Sequence, residues 1–337
     1  MNPEERKQIL SGKKATARPG TTNQNATDSA GKPVQQKLTF GQELWSWTKT
    51  IFSSLLIVMV INGILIASFV VPTGSMENEV LPGDFLFVNR FIYGGSSPQT
   101  IPFFNIPLPY FTLPGLRDPQ KGDVIVFIFP GGRSDVKARD FQYYLKRCVA
   151  TAGDTLQIIN TKIYINGVEQ PLPESAKFDP LLSTPSSGDA SQTFPDGYGF
   201  TRDNWGPMRI PQKGDIIPLN DSTYRAWRIF VMREGHEVER NGEIINVDGK
   251  PVTSYTVERD YCFGMGDNRW NSLDSRYWGF VPMDDVIGTP LIVYWSWPVA
   301  VDRDGDGIAN TENPAEQTSF WEKLGSIRWG RLFNVID

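Results

Sequence analysis

The chain has 337 residues, 40% of them hydrophobic, and a net charge of −5 at pH 7. That length suits about two structural units, and the weak negative charge excludes a broad basic surface, so no nucleic-acid partner is expected. One histidine and two cysteines without a CxxC spacing exclude a multi-histidine or zinc-ribbon metal centre, and no cofactor is expected.

Residues 1–43 are polar, with almost no large apolar side chain before Leu38 and Phe40, which predicts a disordered tail. Ile51 to Val71 then runs for 21 residues without a charge. As a helix it would measure about 31 Å, close to the hydrocarbon thickness of a bilayer. Trp45 and Trp47 stand just before it, where interfacial aromatics belong, so one transmembrane helix is expected over 44–71. A buried core helix fits less well, because the run is apolar on every face. A cleaved signal peptide fits less well too, because the run starts far from the N-terminus and no A-x-A site follows. Basic residues from Arg6 to Lys49 precede the span, whereas Glu77, Glu79 and Asp84 follow it. This bias predicts a cytoplasmic N-terminus and an outside domain over 72–337.

Many glycines (31) and prolines (25) favour short strands and turns in that domain. Asp84–Asn89 and Asp123–Phe129 read as strands, and Leu156–Ile165 alternates before a hairpin turn at Asn166-Gly167. Asn241-Gly242 and Asp248-Gly249 read as further turns, and Pro171–Asp203 as a loop. The segment of about 155–260 is expected to be a β-rich inserted subdomain. Its lone His236 follows Gly235 among charged residues and reads as an exposed turn, the one imidazole open to a Ser-His-Asp hydrolase. Cys148 and Cys262 read as two separate buried thiols, with a disulfide as the alternative. Asp302, Asp304 and Asp306 with Gly307 resemble a calcium loop. Position 12 of that loop is Asn313, not an acid, so a solvated acidic turn is expected and no metal.

Three clusters carry chemistry. Pro72-Thr-Gly-Ser-Met76 sets a serine in a tight turn just after the span, though most such serines are only turn residues. Tyr143–Val149 alternates like a strand, with Tyr144, Lys146 and Cys148 on one face. A lysine there loses water, and desolvation favours the neutral amine, which can take a proton from a serine hydroxyl. The bland alternative is an exposed strand lysine. Gly264–Pro282 interleaves acids, bases, serines and asparagines with glycines and aromatics, so it must be held by its own hydrogen bonds and ion pairs, such as Asp274 with Arg276.

Read in order, the motifs are more specific. Pro72-Thr-Gly-Ser-Met76, Gly83-Asp-Phe-Leu-Phe-Val-Asn-Arg-Phe-Ile-Tyr-Gly94, Lys121-Gly-Asp-Val-Ile-Val-Phe127, Tyr144-Leu-Lys-Arg147 with Gly153-Asp154, and Gly266-Asp-Asn-Arg-x-Asn-Ser-x-Asp-Ser-Arg-x-Trp-Gly-x-Val-Pro282 resemble the motif set of bacterial type I signal peptidases. The resemblance implies a mainly β fold: an antiparallel catalytic sheet with a β-rich insertion, preceded by one transmembrane helix. It implies an endopeptidase of the bacterial cytoplasmic membrane, near the protein-export machinery, that cleaves secretory preproteins after small residues. Ser75 would be the nucleophile and Lys146 the general base. Ser272 would orient the lysine amine, and Thr73 with the Ser75 N–H would hold the oxyanion. Phe69, Val71, Met76 and Leu145 would line the substrate pocket, and Asp267, Arg269, Asp274 and Arg276 would brace the site.

The chain departs from the family pattern at Trp270, at Glu77-Asn78-Glu79 and at Thr151-Ala152, positions that bear on substrate preference more than on the reaction. Asn204–Pro211 is similar to a stretch in longer members. Two other readings are weighed: a Ser/Lys protease with one narrow substrate, which the same residues would serve, and a tethered binding module without catalysis, against which Ser75, Lys146 and Ser272 together argue.

Overall fold

The structure, a computed structural model, describes residues 39–95, 100–101, 106–107, 113–183, 192–298 and 320–336. Contacts divide the chain inside the N-terminal helix, into Met1–Leu55 and Leu56–Asp337, and every strand belongs to the second unit. The helix runs Phe40–Val60, and Ile61–Leu65 extend it in a wider turn. Phe40–Leu65 is long and apolar enough to cross a membrane.

The apolar run does not stay helical to Val71, as the expectation over 44–71 required. Asn62 and Gly63, both poor helix formers, fall in the wider turn. Ile66–Val70 then leaves as strand β1, whose five residues pair antiparallel with the next strand. Ile, Phe and Val suit a strand as well as a helix, and the neighbouring strand decides between them.

β1 is the edge of a seven-stranded sheet. The others are β2 (Asp84–Asn89), β3 (Val124–Ile128), β4 (Tyr143–Thr151), β5 (Tyr261–Met265), β6 (Val281–Pro282) and β7 (Val286–Ser296). The order is β1-β2-β7-β3-β4-β5-β6, and every neighbouring pair is antiparallel. β7, last in the chain, therefore lies between β2 and β3.

Both faces of this sheet are covered, which is why β3 reads as an unbroken apolar run. Val124 and Val126 join one cluster with Met76, Val80, Leu86 and Val293. Ile125 and Phe127 join the opposite one with Cys148, Cys262 and Trp278. The two cysteines are free and buried. The C-terminal segment runs beside β7, where Phe333 N–H donates to Val293 O at 2.7 Å. Arg331 there pairs with the fully buried Asp84 at 2.7 Å.

Among its described residues, the segment between β4 and β5 is β-rich and holds the α-helix Asp221–Arg233. Thr155–Ile159, Lys162–Ile165 and Val168–Glu169 form hairpins, joined at the other edge by Trp205–Arg209. Val238–Asn241, Ile244–Val247 and Lys250–Val252 form a meander. The helix Asp221–Arg233 was not expected. Asn220 caps it by accepting from Ser222 and Thr223 N–H, and Ala226, Trp227, Phe230 and Val231 form its buried side. The segment has no core of its own, since Leu156, Trp205, Trp227 and Phe230 share one cluster with Ala150, Phe263 and Met265 of β4 and β5. Trp205 is fully buried and its indole N–H donates to Phe194 O at 2.6 Å. Burying such a ring contributes on the order of 3 kcal/mol, enough to seat the segment on the seven-stranded sheet.

Candidate active site

The turn after β1 and the middle of β4 meet. Lys146 Nζ lies 2.6 Å from Ser75 Oγ, and the two residues are only 4% and 9% exposed. Tyr144 and Leu145 flank the lysine on its own strand, with the Tyr144 ring 5.5 Å from the amine. Burial pushes the amine from its usual 10.5 down to about 8, against the pull of Asp274 and Asp267. A lysine in that range is neutral often enough near neutral pH to accept a proton. Its second hydrogen bond goes to Leu145 O at 3.0 Å. Thr73 Oγ1 lies 3.4 Å from Ser75 Oγ, on the same side of the turn.

The third cluster forms the wall behind this pair. Asn268 N–H donates to Ser75 O at 3.1 Å, and its side-chain amide donates to Gly74 O at 3.2 Å. Gly266 makes this approach possible. A Cβ there would sit 2.2 Å from Ser272 Oγ and 2.5 Å from Ser75 O. Asp274 and Arg276 form the expected pair, with two parallel bonds of 2.8 and 2.7 Å and almost no exposure. Asp274 also accepts from Gly266 N–H at 3.1 Å, which ties the pair to the wall.

Two expected contacts differ. Ser272 Oγ has no hydrogen-bond partner among the described residues, so the lysine amine is held by Ser75 and Leu145 O instead. The Arg269 guanidinium is buried and also without a partner there, and burial pushes it down to about 10. Arg269 joins the wall through its backbone: its N–H donates to Lys177 O, and its carbonyl accepts from Arg276, at 2.8 and 2.7 Å. Phe69, Val71, Met76 and Leu145 come together in one apolar cluster. Val71 and Met76 are 5% and 1% exposed and lie inside that cluster, whereas Phe69 and Leu145 are half-buried at its margin.

The family model described as signal peptidase, peptidase S26, matches residues 44–295, well over half of the chain. The chain belongs to the signal peptidase family. It is therefore a serine-type endopeptidase. Signal peptidase I of Helicobacter pylori is 28% identical over 304 residues, covering 87% of this chain and 91% of that protein. Signal peptidase I of Rickettsia akari is 30% identical over 299 residues, covering 88% and 92%. A solved signal peptidase I from Enterococcus faecalis covers 51% of this chain and 97% of its own at 21% identity. Its TM-score of 0.24 is too low to bear on the fold.

Several residues of this candidate site were not singled out in the sequence. Arg147, next to the lysine, pairs with Asp267 at 2.7 Å, and Ser175 Oγ donates to the same carboxylate at 2.6 Å. Lys177 reaches Glu77, two residues after the serine, at 2.8 Å. The Lys-Arg pair of the second motif is the one local signal for Arg147, whereas Ser175 and Lys177 sit in a segment that reads only as a loop. His236 plays no part here. It bridges Asp248 and Glu258 at 2.7 and 3.1 Å, and the Asp248 hydrogen bond raises its pKa. The acidic loop from Asp302 lies outside the described residues, as do residues 1–38.

Proposed function

We propose that this peptidase is anchored in the bacterial cytoplasmic membrane by Phe40–Leu65, with its N-terminus in the cytoplasm. There it removes N-terminal signal peptides from secretory preproteins, cutting after small residues, with Ser75 and Lys146 as a catalytic pair. The 2.6 Å contact between Lys146 Nζ and Ser75 Oγ, in a site nearly closed to water, carries the assignment.

In this reading the neutral Lys146 amine takes the proton from Ser75 Oγ as Oγ attacks the substrate carbonyl carbon. The developing oxyanion accepts hydrogen bonds from Ser75 N–H and Thr73 Oγ1, donors of a kind worth about 3–4 kcal/mol. As the intermediate collapses, the Lys146 ammonium gives its proton to the leaving amine nitrogen. Water then attacks the acyl-enzyme, with Lys146 again accepting a proton, and Ser75 is restored. Ser272, beside Gly266 with its hydroxyl uncommitted, orients the amine when it swings from Leu145 O. Phe69 and Leu145, half-buried against Val71 and Met76, offer the apolar surface for small side chains at the cut. Because the amine of the free enzyme titrates near 8, the rising limb of the kcat/KM profile falls near that pH.

The test is cleavage of a preprotein by the full chain in phospholipid vesicles. Ser75→Ala and Lys146→Met should each abolish cleavage while circular dichroism shows an intact fold. Appreciable cleavage by either folded variant would remove the assignment.

A further inference from the structure

A second lysine, from the inserted segment, reaches the turn that carries Ser75 through Glu77. We propose that Lys177 is a positioning residue for Ser75, acting through Glu77; this rests on the reading of Ser75 as nucleophile.

Lys177 is fixed at both backbone groups. Its N–H donates to Asp267 O and its carbonyl accepts from Arg269 N–H, each at 2.8 Å, which makes a short parallel bridge beside Asn268. From there Nζ donates to Glu77 Oε2 at 2.8 Å. The same oxygen accepts from the Asn268 amide at 3.1 Å. That amide also holds Gly74 O, and the Asn268 N–H holds Ser75 O. The carbonyls on both sides of the Ser75 Cα are thus gripped by one asparagine. The Lys177–Glu77 pair fixes that asparagine and the residue that leaves the turn.

The local backbone supports this. Asn78 has φ +87°, a left-handed conformation that asparagine tolerates better than most residues. The reversal sends Glu77 to Lys177 and Glu79 toward Arg147, 3.5 Å away and next to the catalytic lysine. Glu77-Asn78-Glu79 is also where this chain departs from the family pattern, so the clamp belongs to this chain's own sequence.

Magnitudes decide what the clamp can do. Lys177 and Glu77 are about one third exposed, and such a pair contributes little to stability. A misplacement of about 1 Å at a reacting atom, however, can cost about 100-fold in rate. The effect of the pair therefore falls on turnover and not on folding.

The experiment uses the full chain in vesicles, with kcat and KM measured separately on a preprotein. Lys177→Met should lower kcat about fivefold to tenfold, with KM held within about twofold. Lys177→Arg should restore at least about half of kcat, and Glu77→Gln with Lys177→Met should be no worse than Lys177→Met alone. A second readout does not depend on cleavage. The thiol introduced by Ser75→Cys is alkylated with iodoacetamide across pH, with the parent protein correcting for the buried native thiols. Beside Lys146 that thiol should ionise below the ordinary value of about 8.5, and Lys177→Met should move it back up by about half a pH unit or more. An alkylation profile unchanged by Lys177→Met overturns the proposal, as does a kcat loss that Lys177→Arg leaves unrepaired. Cleavage by Ser75→Ala instead overturns the nucleophile reading, while the alkylation profile still reports whether Lys177 positions residue 75.

Discussion

Lys146 is costly where it lies. Burial moves its amine from 10.5 to about 8, which corresponds to roughly 3 kcal/mol of preference for the neutral form. Below pH 8 folded and unfolded chains both hold the proton, and the folded chain bears that cost in full. From 8 to 10.5 the unfolded chain binds more protons, so stability rises with pH. Lys146→Met should therefore be more stable than the parent at pH 7, by about 1–3 kcal/mol after loss of the amine's hydrogen bonds. Urea unfolding at pH 7 and pH 10 measures it, and a gap that fails to narrow at the higher pH would contradict the strained amine. Neither Ser75 nor Lys146 announces itself alone in the sequence; a serine in a turn and a lysine in a strand are ordinary. The ordered motifs single them out, and the structure sets the two 2.6 Å apart. Lys177 was not legible, because its meaning lies in Glu77, 100 positions away. Ser272 and Arg269 were named from the motif, but which of their atoms would find partners depends on packing that no motif specifies.

At the scale of elements, local chemistry was the best guide where it was strongest. Asn166-Gly167 and Asp248-Gly249 turn the chain as expected, with Asn166 and Asp248 at φ +53° and +50°. The turn at Asn160-Thr161 was missed inside an alternating run, because it puts a β-branched threonine at φ +70° against its preference. The helix Asp221–Arg233 left a signal in Asn220-Asp-Ser-Thr223, but its partners are aromatic residues of the insertion and of β5. The apolar run ending at Val71 shows the limit of composition: its last strand exists because β2 lies beside it. The wall behind the serine depends on one absent side chain. Gly266→Ala should force Ser272 or the Ser75 carbonyl aside, costing about 1–3 kcal/mol of stability and about 100-fold in kcat. Denaturant unfolding and preprotein kinetics measure the two effects, and a variant with parental kcat would show that the wall can yield without moving the nucleophile.

For the whole molecule, the boundary between span and catalytic unit falls earlier than the hydropathy of the sequence implies. A fragment beginning at residue 72 lacks β1 and with it Phe69, whereas one beginning at Ile61 keeps both. Assayed in detergent, the longer fragment should stay within about threefold of the full chain, and the shorter should lose about tenfold or more. In vesicles the full chain should outpace both, and equal rates there would remove the reason for an anchor. The sheet order has one more consequence, and it concerns timing. Ser75 lies between β1 and β2 and Lys146 lies on β4, while β7, the last strand of the sheet to be synthesised, joins those halves. A chain emerging from the ribosome holds both reactive residues long before it holds the strand that aligns them. Pairings so distant in sequence form late. Alignment of Ser75 with Lys146 therefore waits on the strand of the sheet that is made last.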